Sequence, residues 1–303
     1  MRRANNNGMG FAFIVAVGLL GILGVGSSLN ADRRDDPPRN NKSDKLTVIG
    51  LTEDGRLVRF RADSPRKARD VGVVVGLSGS DSSLVGMDYR VQDGKLYGVG
   101  NGGGIYTIDP ATANAQLVNT LTVPLRGAVF GVDFNPAADR LRIVSDTGQN
   151  LAHNVTGGVT VENASLTYTA PPAAPVPATG VTGAAYTNND VAPAGAPTAT
   201  TLFDVDTTLD QIVIQSPPGN GILVATGKLG FDAGPSAGLD IYSHVANRVT
   251  VANSAFATLS GNGRYSFYRV SLTTGRATLI GEFDNQVFDI ALPLGQEDVP
   301  ALR

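Results

Sequence analysis

An all-β fold is predicted by two observations on this chain. Beyond residue 45 no segment keeps an apolar 3.6-residue period for more than about two turns, while short β-branched and aromatic runs alternate with Gly, Pro, Asn and Asp turns. A short string also recurs: Leu84-Val85-Gly86-Met87-Asp88-Tyr89, Val129-Phe130-Gly131-Val132-Asp133-Phe134, Val181-Thr182-Gly183-Ala184-Ala185-Tyr186, Ala237-Gly238-Leu239-Asp240-Ile241 and Gln286-Val287-Phe288-Asp289-Ile290. Its successive spacings, read at the Asp position, are 45, 52, 55 and 49 residues. That period suits one four-stranded propeller blade, so five strings predict a five-bladed β-propeller with each string on an inner strand. A six-bladed ring and a pair of sandwiches stay open as alternatives.

The N-terminus comes first. Arg2 and Arg3 precede the apolar run Phe11 to Val25 and the small residues Gly26-Ser27-Ser28, the order of a secretory signal's charged, hydrophobic and cleavage regions. Counted on to Leu29 the run holds about 19 mostly apolar residues, barely enough to span a bilayer. Residues 1–30 are therefore expected to be a signal peptide or an uncleaved membrane anchor. Either places the domain outside the cytoplasm, as a secreted, periplasmic or outward-facing anchored protein, and any membrane contact would run through this segment alone. Residues 31–45, ADRRDDPPRNNKSDK, hold nine charged residues, two prolines and no large apolar side chain, which is a solvated linker.

Residues 46–293 form the expected propeller domain, and 294–303 a C-terminal tail. Thr47 to Leu51, Leu57 to Arg61 and Val71 to Val75 read as three strands with no inner strand before them. Val287 to Leu292 reads as an inner strand with nothing after it. Joined, they complete the fifth blade and remove the free edges that template aggregation. The Ala/Pro-rich stretches Ala170 to Ala178 and Val191 to Thr198 are expected to be loops, since proline cannot donate to a ladder.

Composition removes several functions. There is no Cys, hence no disulfide, thiolate nucleophile or zinc cluster, and no Trp for sugar stacking. Beyond residue 45 the chain has 17 Lys and Arg against 23 Asp and Glu, a net charge of −6 that disfavours nucleic acid and suits neutral ligands or divalent cations. The two histidines, His153 and His244, stand in strand contexts with no nucleophile elbow. Gly98-Val99-Gly100-Asn101-Gly102-Gly103 matches G-x-G-x-x-G, but the strand-like Ile105-Tyr106-Thr107-Ile108 follows where a dinucleotide site needs a helix, so it reads as a hairpin turn.

The recurring aspartates carry the remaining chemistry. Asp88, Asp133, Asp240 and Asp289 occupy one position of four inner strands, with Ala185 in the fifth, and a propeller gathers such positions around its axis. They are candidates to hold calcium through oxygen ligands, with Asn135 or Asn188 completing the shell. The alternative is a structural device in which each Asp accepts backbone N–H bonds from a neighbouring blade. At one end of the ring the strand connections would also gather Asp54, Asp81, Asn101, Arg126, Asp146, Gln149, Asp232 and Arg264 as a polar rim.

Several strings carry a resemblance: Gly131-Val132-Asp133-Phe134-Asn135-Pro136, Arg142 to Asn150 (RIVSDTGQN), Ala185-Tyr186-Thr187-Asn188-Asn189, Leu202-Phe203-Asp204-Val205-Asp206 and Gln215 to Gly221 (QSPPGNG). From about Leu46 to Leu292 the chain resembles the bacterial domain of unknown function 4394. The resemblance implies an exported, propeller-like repeat domain and supplies no catalytic residues; Ala185 at the fifth Asp position is also in keeping with it. The functional expectation is a binding or scaffold module of the cell envelope for a protein or small-molecule ligand. The alternative is a calcium-dependent hydrolase similar to propeller lactonases such as paraoxonase.

Overall fold

The computed structural model describes residues 45–169, 174–190, 199–261 and 263–296. The expected signal or anchor (1–30) and the linker up to residue 44 lie outside the described residues, as do 170–173, 191–198, 262 and 297–303. Among the described residues no helix is long and apolar enough to cross a membrane.

The chain begins with β1 (Thr47–Thr52), β2 (Arg56–Arg61) and β3 (Arg69–Val73). Blade 1 follows as β4 (Leu84–Tyr89), β5 (Leu96–Gly100), β6 (Gly104–Ile108) and β7 (Ala115–Thr120). Blade 2 is β8 (Phe130–Asn135), β9 (Arg140–Ser145), β10 (Asn150–Asn154) and β11 (Val159–Glu162). The short strands β12 (Thr167–Tyr168) and β13 (Val176–Pro177) come next, then blade 3 as β14 (Val181–Tyr186), β15 (Leu202–Asp206), β16 (Gln211–Gln215) and β17 (Ile222–Lys228). Blade 4 is β18 (Ala237–Ala246), β19 (Val249–Gly261), β20 (Arg264–Val270) and β21 (Ala277–Glu282). The last strand, β22 (Val287–Ala291), pairs antiparallel with β1, with Gly50 opposite Ile290, so blade 5 has the order β22-β1-β2-β3. Five sheets of antiparallel meanders thus form a five-bladed β-propeller, and its ring is closed by the two ends of the domain. Gln296 strengthens that closure, accepting from the Thr47 N–H (2.6 Å) and donating to the Thr47 carbonyl (2.9 Å).

Two expectations are corrected. Val176–Pro177 is not loop: it pairs with Thr167–Tyr168, which runs parallel to β17. Proline is admitted because β13 is the outermost strand, where a missing donor faces no partner, and the pair shields the edge of blade 3. The third N-terminal strand also lies two residues earlier than predicted, because a register shift opposite Leu57/Val58 moves the ladder; Val75 instead bridges Asn114 of blade 1.

The core consists of the layers between blades. Period-2 alternation gives each strand one face toward each neighbouring blade, and β-branched and aromatic residues fill both. Leu51, Leu57, Met87 and Leu96 pack between blades 5 and 1, and Val99, Ile105, Phe134 and Ile143 between blades 1 and 2. All of these are buried, which leaves the inner strands and the loop ends as the places where chemistry can be exposed or concentrated.

Candidate functional site

The inner strands β4, β8, β14, β18 and β22 line the axis, and their Gly-x-Asp unit has a mechanical logic. Residues two apart share a face, so in β4, β8 and β18 the Gly and the Asp point to the same neighbouring blade. Glycine allows the approach: a Cβ on Gly131 would come within 2.7 Å of the Ala184 nitrogen, and one on Gly238 within 2.7 Å of the Asp289 Cα. The aspartate then reaches across. Asp88 Oδ2 accepts the Phe134 N–H (2.8 Å), and Asp133 Oδ1 accepts that of Tyr186 (2.9 Å). Asp240 Oδ2 accepts the Leu292 N–H (2.5 Å), and Asp289 Oδ2 that of Met87 (2.8 Å).

Four of the five blade junctions therefore have a carboxylate tie, and Ala185 leaves the junction of blades 3 and 4 without one. There the Ile241 N–H is taken by Asp240's own Oδ1 (2.5 Å). The connection after β14 substitutes: Asn189 donates Nδ2 to the Ile241 carbonyl (3.1 Å) and its N–H to Ser243 Oγ (2.8 Å).

All four aspartates are buried, and Asp88, Asp133 and Asp240 bring carboxylate oxygens within 4.8 Å of one another. Burial, reinforced by the neighbouring acids, pushes Asp88 and Asp133 well above the usual carboxylate range. Burial raises Asp240 to about 7 and Asp289 to about 8. The centre can hold protons at neutral pH or offer oxygens to a hard cation, and Asp133 Oδ2 is buried with no hydrogen-bond partner. Asn135 and Asn188 do not complete a shell. Asn135 Oδ1 accepts the N–H groups of Ala137 and Ala138, and Asn188 Oδ1 accepts from Asn253.

A second polar centre escaped the sequence reading. Arg142, directly opposite Asp133 in the β8–β9 ladder, is buried between blades 2 and 3. It donates to Asn150 Oδ1 (2.6 Å), Asn163 Oδ1 (2.7 Å) and the Tyr186 hydroxyl (3.3 Å). Asp204, fully buried in β15, lies on the face of blade 3 that meets this group; neither of its oxygens has a partner, nor does Gln215 Oε1. Burial raises the Asp204 carboxyl well above the usual range, against the opposing pull of the Arg142 charge. The only signal was an Arg at a position where the other blades carry Leu51, Tyr97, Phe203 and Phe256.

The profile of the domain of unknown function DUF4394 matches residues 56–291. The chain belongs to the DUF4394 family. No curated protein matches it. Among solved structures the DUF4394 chain is similar to hydrazine synthase of Kuenenia stuttgartiensis at 11% identity and a TM-score of 0.39, covering 70% of this chain and 51% of that one. It thus spans about half the length of that chain. It is also similar to a protein of unknown function from Bacteroides thetaiotaomicron (10% identity, TM-score 0.42, covering 82% and 67%). A protein from Lactobacillus plantarum gives 12% identity and a TM-score of 0.39, covering 82% and 99%.

In the DUF4394 domain the rim residues lie on the expected turns and connections except Arg264, which opens β20 and pairs with Gly261, and most are occupied with fastening loops. Asp81 accepts the N–H groups of Gly102 (2.5 Å) and Gly104 (3.0 Å), which fixes the glycine-rich segment as the β5–β6 hairpin turn. Asn101 Oδ1 accepts the Ser82 N–H (2.9 Å), Asp146 Oδ1 that of Ala128 (2.9 Å), and Gln149 Oε1 that of Arg126 (2.8 Å). Asp54 accepts from Thr52, and the Arg126 side chain pairs with Glu162. A cavity of about 380 Å³ opens at this end, lined by Asp146, Gly180, Thr207, Thr208 and Pro235. Both histidines are buried. His153 bonds Thr160 and Asn119 (2.9 Å each), and burial lowers it to about 4; His244 bonds Ser254 (2.9 Å).

Proposed function

We propose that this chain acts outside the cytoplasm as a rigid binding or scaffold module of the cell envelope. The observation that carries the reading is the commitment of the axial carboxylates: each accepts a backbone N–H bond, three from a neighbouring blade's inner strand and one from the residue just after β22. Their chemistry goes into fixing the ring, and a rigid ring with loops at both ends is a presenting surface.

Export supplies the setting. Replacing Leu19 and Leu20 by Arg costs about 2.5–3.5 kcal/mol per charge near the centre of the apolar run, so the variant should stay in the cytoplasm while wild type is recovered outside it. A mature N-terminus near Ser28 or Ala31 in a soluble fraction supports a cleaved signal; intact Met1 in washed membranes supports an anchor. Wild type soluble in the cytoplasm with residues 1–30 intact would overturn the proposal.

A second reading, the calcium-dependent hydrolase, is favoured by the three converging carboxylates and the unpartnered Asp133 Oδ2. Asp88, Asp133 and Asp240 would hold the ion, with one oxygen of Asp88 and of Asp133 and both oxygens of Asp240 already engaged by backbone N–H groups, and calcium would polarise a substrate carbonyl. Elemental analysis and ester and lactone turnover with and without chelator separate the two. One mole of calcium per chain with chelator-sensitive turnover selects the hydrolase; neither selects the module.

A further inference from the structure

We propose that the outer ribbon of blade 5 carries a binding site for a phosphate-bearing ligand, formed by Arg59, Arg61, Lys67 and Arg69. These four cations line one cavity of about 440 Å³ together with Thr47 and Ser64, a size in the range of small-ligand pockets.

The register makes the cluster costly without an anion. Arg59 stands directly opposite Arg69 in the β2–β3 ladder, and like charges opposite one another destabilise a sheet. Arg61, two residues from Arg59, shares its face, with Thr47 opposite it on β1. Nearby acids offset only part of this charge. Asp63 pairs with Arg61 (3.0 Å), whereas Asp70 is turned to Arg56 and Glu282 to Arg66 (3.2 Å). Arg59 donates to the Pro110 carbonyl (3.0 Å), and the neighbouring Asp109 carboxylate feels its charge without forming an ion pair with it. Lys67 and Arg69 make no ion pair among the described residues.

The sequence shows the same local reversal. Residues 56–70 hold six Lys and Arg against two Asp, in a domain that is otherwise acidic. Guanidinium groups bond phosphate oxygens in a fork, and the Thr47 and Ser64 hydroxyls add neutral donors. The cavity also adjoins Thr47, where the chain enters the domain from its N-terminal segment. A lipid headgroup and a small soluble phosphate ester present the same chemistry there. The site is separate from the axial centre, and it is tested on the purified full chain irrespective of export.

Inorganic phosphate and glycerol 3-phosphate, titrated at low ionic strength against matched chloride, should raise the melting temperature and give binding heat. Arg59→Gln/Arg69→Gln should weaken that binding about tenfold or more, the loss expected for charge-assisted bonds, while its own melting temperature without phosphate is unchanged or higher because the repulsion is gone. If that variant does not fold, Arg61→Gln/Lys67→Gln replaces it. Cosedimentation with phosphatidylglycerol against phosphatidylcholine vesicles separates the sources: a preference for the anionic vesicles lost in the variant assigns a lipid headgroup, and equal sedimentation with intact phosphate binding assigns a soluble ester. No phosphate effect in wild type, an effect reproduced by chloride, or an equal effect in the variant overturns the proposal.

Discussion

Blades 2 and 3 meet across buried charge, whereas blades 4 and 5 meet across aromatic rings. The two junctions use the same positions. Opposite the axial aspartate, on the second strand, stands Arg142 in blade 2 and Phe256 in blade 4. Phe256 stacks on Phe267 at 5.4 Å, and Phe60 of blade 5 meets Phe267 edge-on at 5.1 Å. Arg142 instead gathers Asn150, Asn163 and Tyr186 beside the unpartnered Asp204. The axis prescribes a carboxylate-to-backbone tie, and the blade faces beyond it are free to differ in chemistry so long as they fill space.

The largest effect should come from emptying the aromatic junction. Phe267→Ala removes the ring that Phe60, Phe256 and Phe283 all touch, a loss of about 3–5 kcal/mol for a buried aromatic. Because Phe60 lies on β2, amide exchange in β1 and β2 should accelerate together with β20. A denaturant titration showing a loss under about 1 kcal/mol, outside that range, would mean that the ring closure does not depend on this junction.

The polar junction should respond in the opposite way to paired changes. Arg142→Met strips the donor from Asn150 and Asn163, at about 1–3 kcal/mol for each acceptor left unpaired. Adding Asp204→Leu should recover part of that loss, since buried charges replaced together by apolar groups are often neutral or stabilising. The double-mutant cycle reads this directly. Strict additivity would show that Arg142 and Asp204 do not interact.

The contrast also explains what could be read from the chain. Inner strands were legible because close approach and a tie to the next blade are local requirements, written as Gly-x-Asp in three of the five strings and in part, as Gly183 or Asp289, in the other two. Ring closure was legible because an orphan strand at one end matched three strands at the other. The junctions were not, since Arg142 and Asp204 belong to different blades and meet only once the β8–β9 and β14–β15 registers are set. Pro177 was misread for a related reason: its place as an outermost strand depends on where β12 docks. The basic run from Arg56 to Arg69 was visible, but only the Arg59–Arg69 register turns it from a solvated stripe into a cluster on one face.

The axial ties offer an intermediate effect. Asp133→Ala leaves the Tyr186 N–H buried and unpaired, at about 1–3 kcal/mol, whereas Asp133→Asn keeps an acceptor and should cost less. In the structural reading both losses are the same in calcium and in chelator. A loss confined to calcium-containing buffer would transfer the centre to the metal reading.

The smallest effect tests pH and has two opposing parts. Asp240 and Asp289 are raised by burial to about 7 and about 8, so the folded chain keeps protons that the unfolded chain releases near 4. Their contribution is complete below about pH 4 and is lost as pH rises through 7 to 8. His153 runs the other way. Buried against Thr160 and Asn119 and lowered to about 4, it stays neutral in the fold while the unfolded chain takes up a proton below about 6.5. Its contribution is therefore present above 6.5 and lost as pH falls toward 4, amounting to about 1 kcal/mol near pH 5.5. His153→Gln retains an amide to bond its neighbours and removes the titration, so the stability gap between wild type and variant should widen from pH 4 to 6.5 and then level off. A gap constant across that range would mean that His153 titrates alike in both states, and that the blade 1–blade 2 contact it makes through Asn119 opens readily to water.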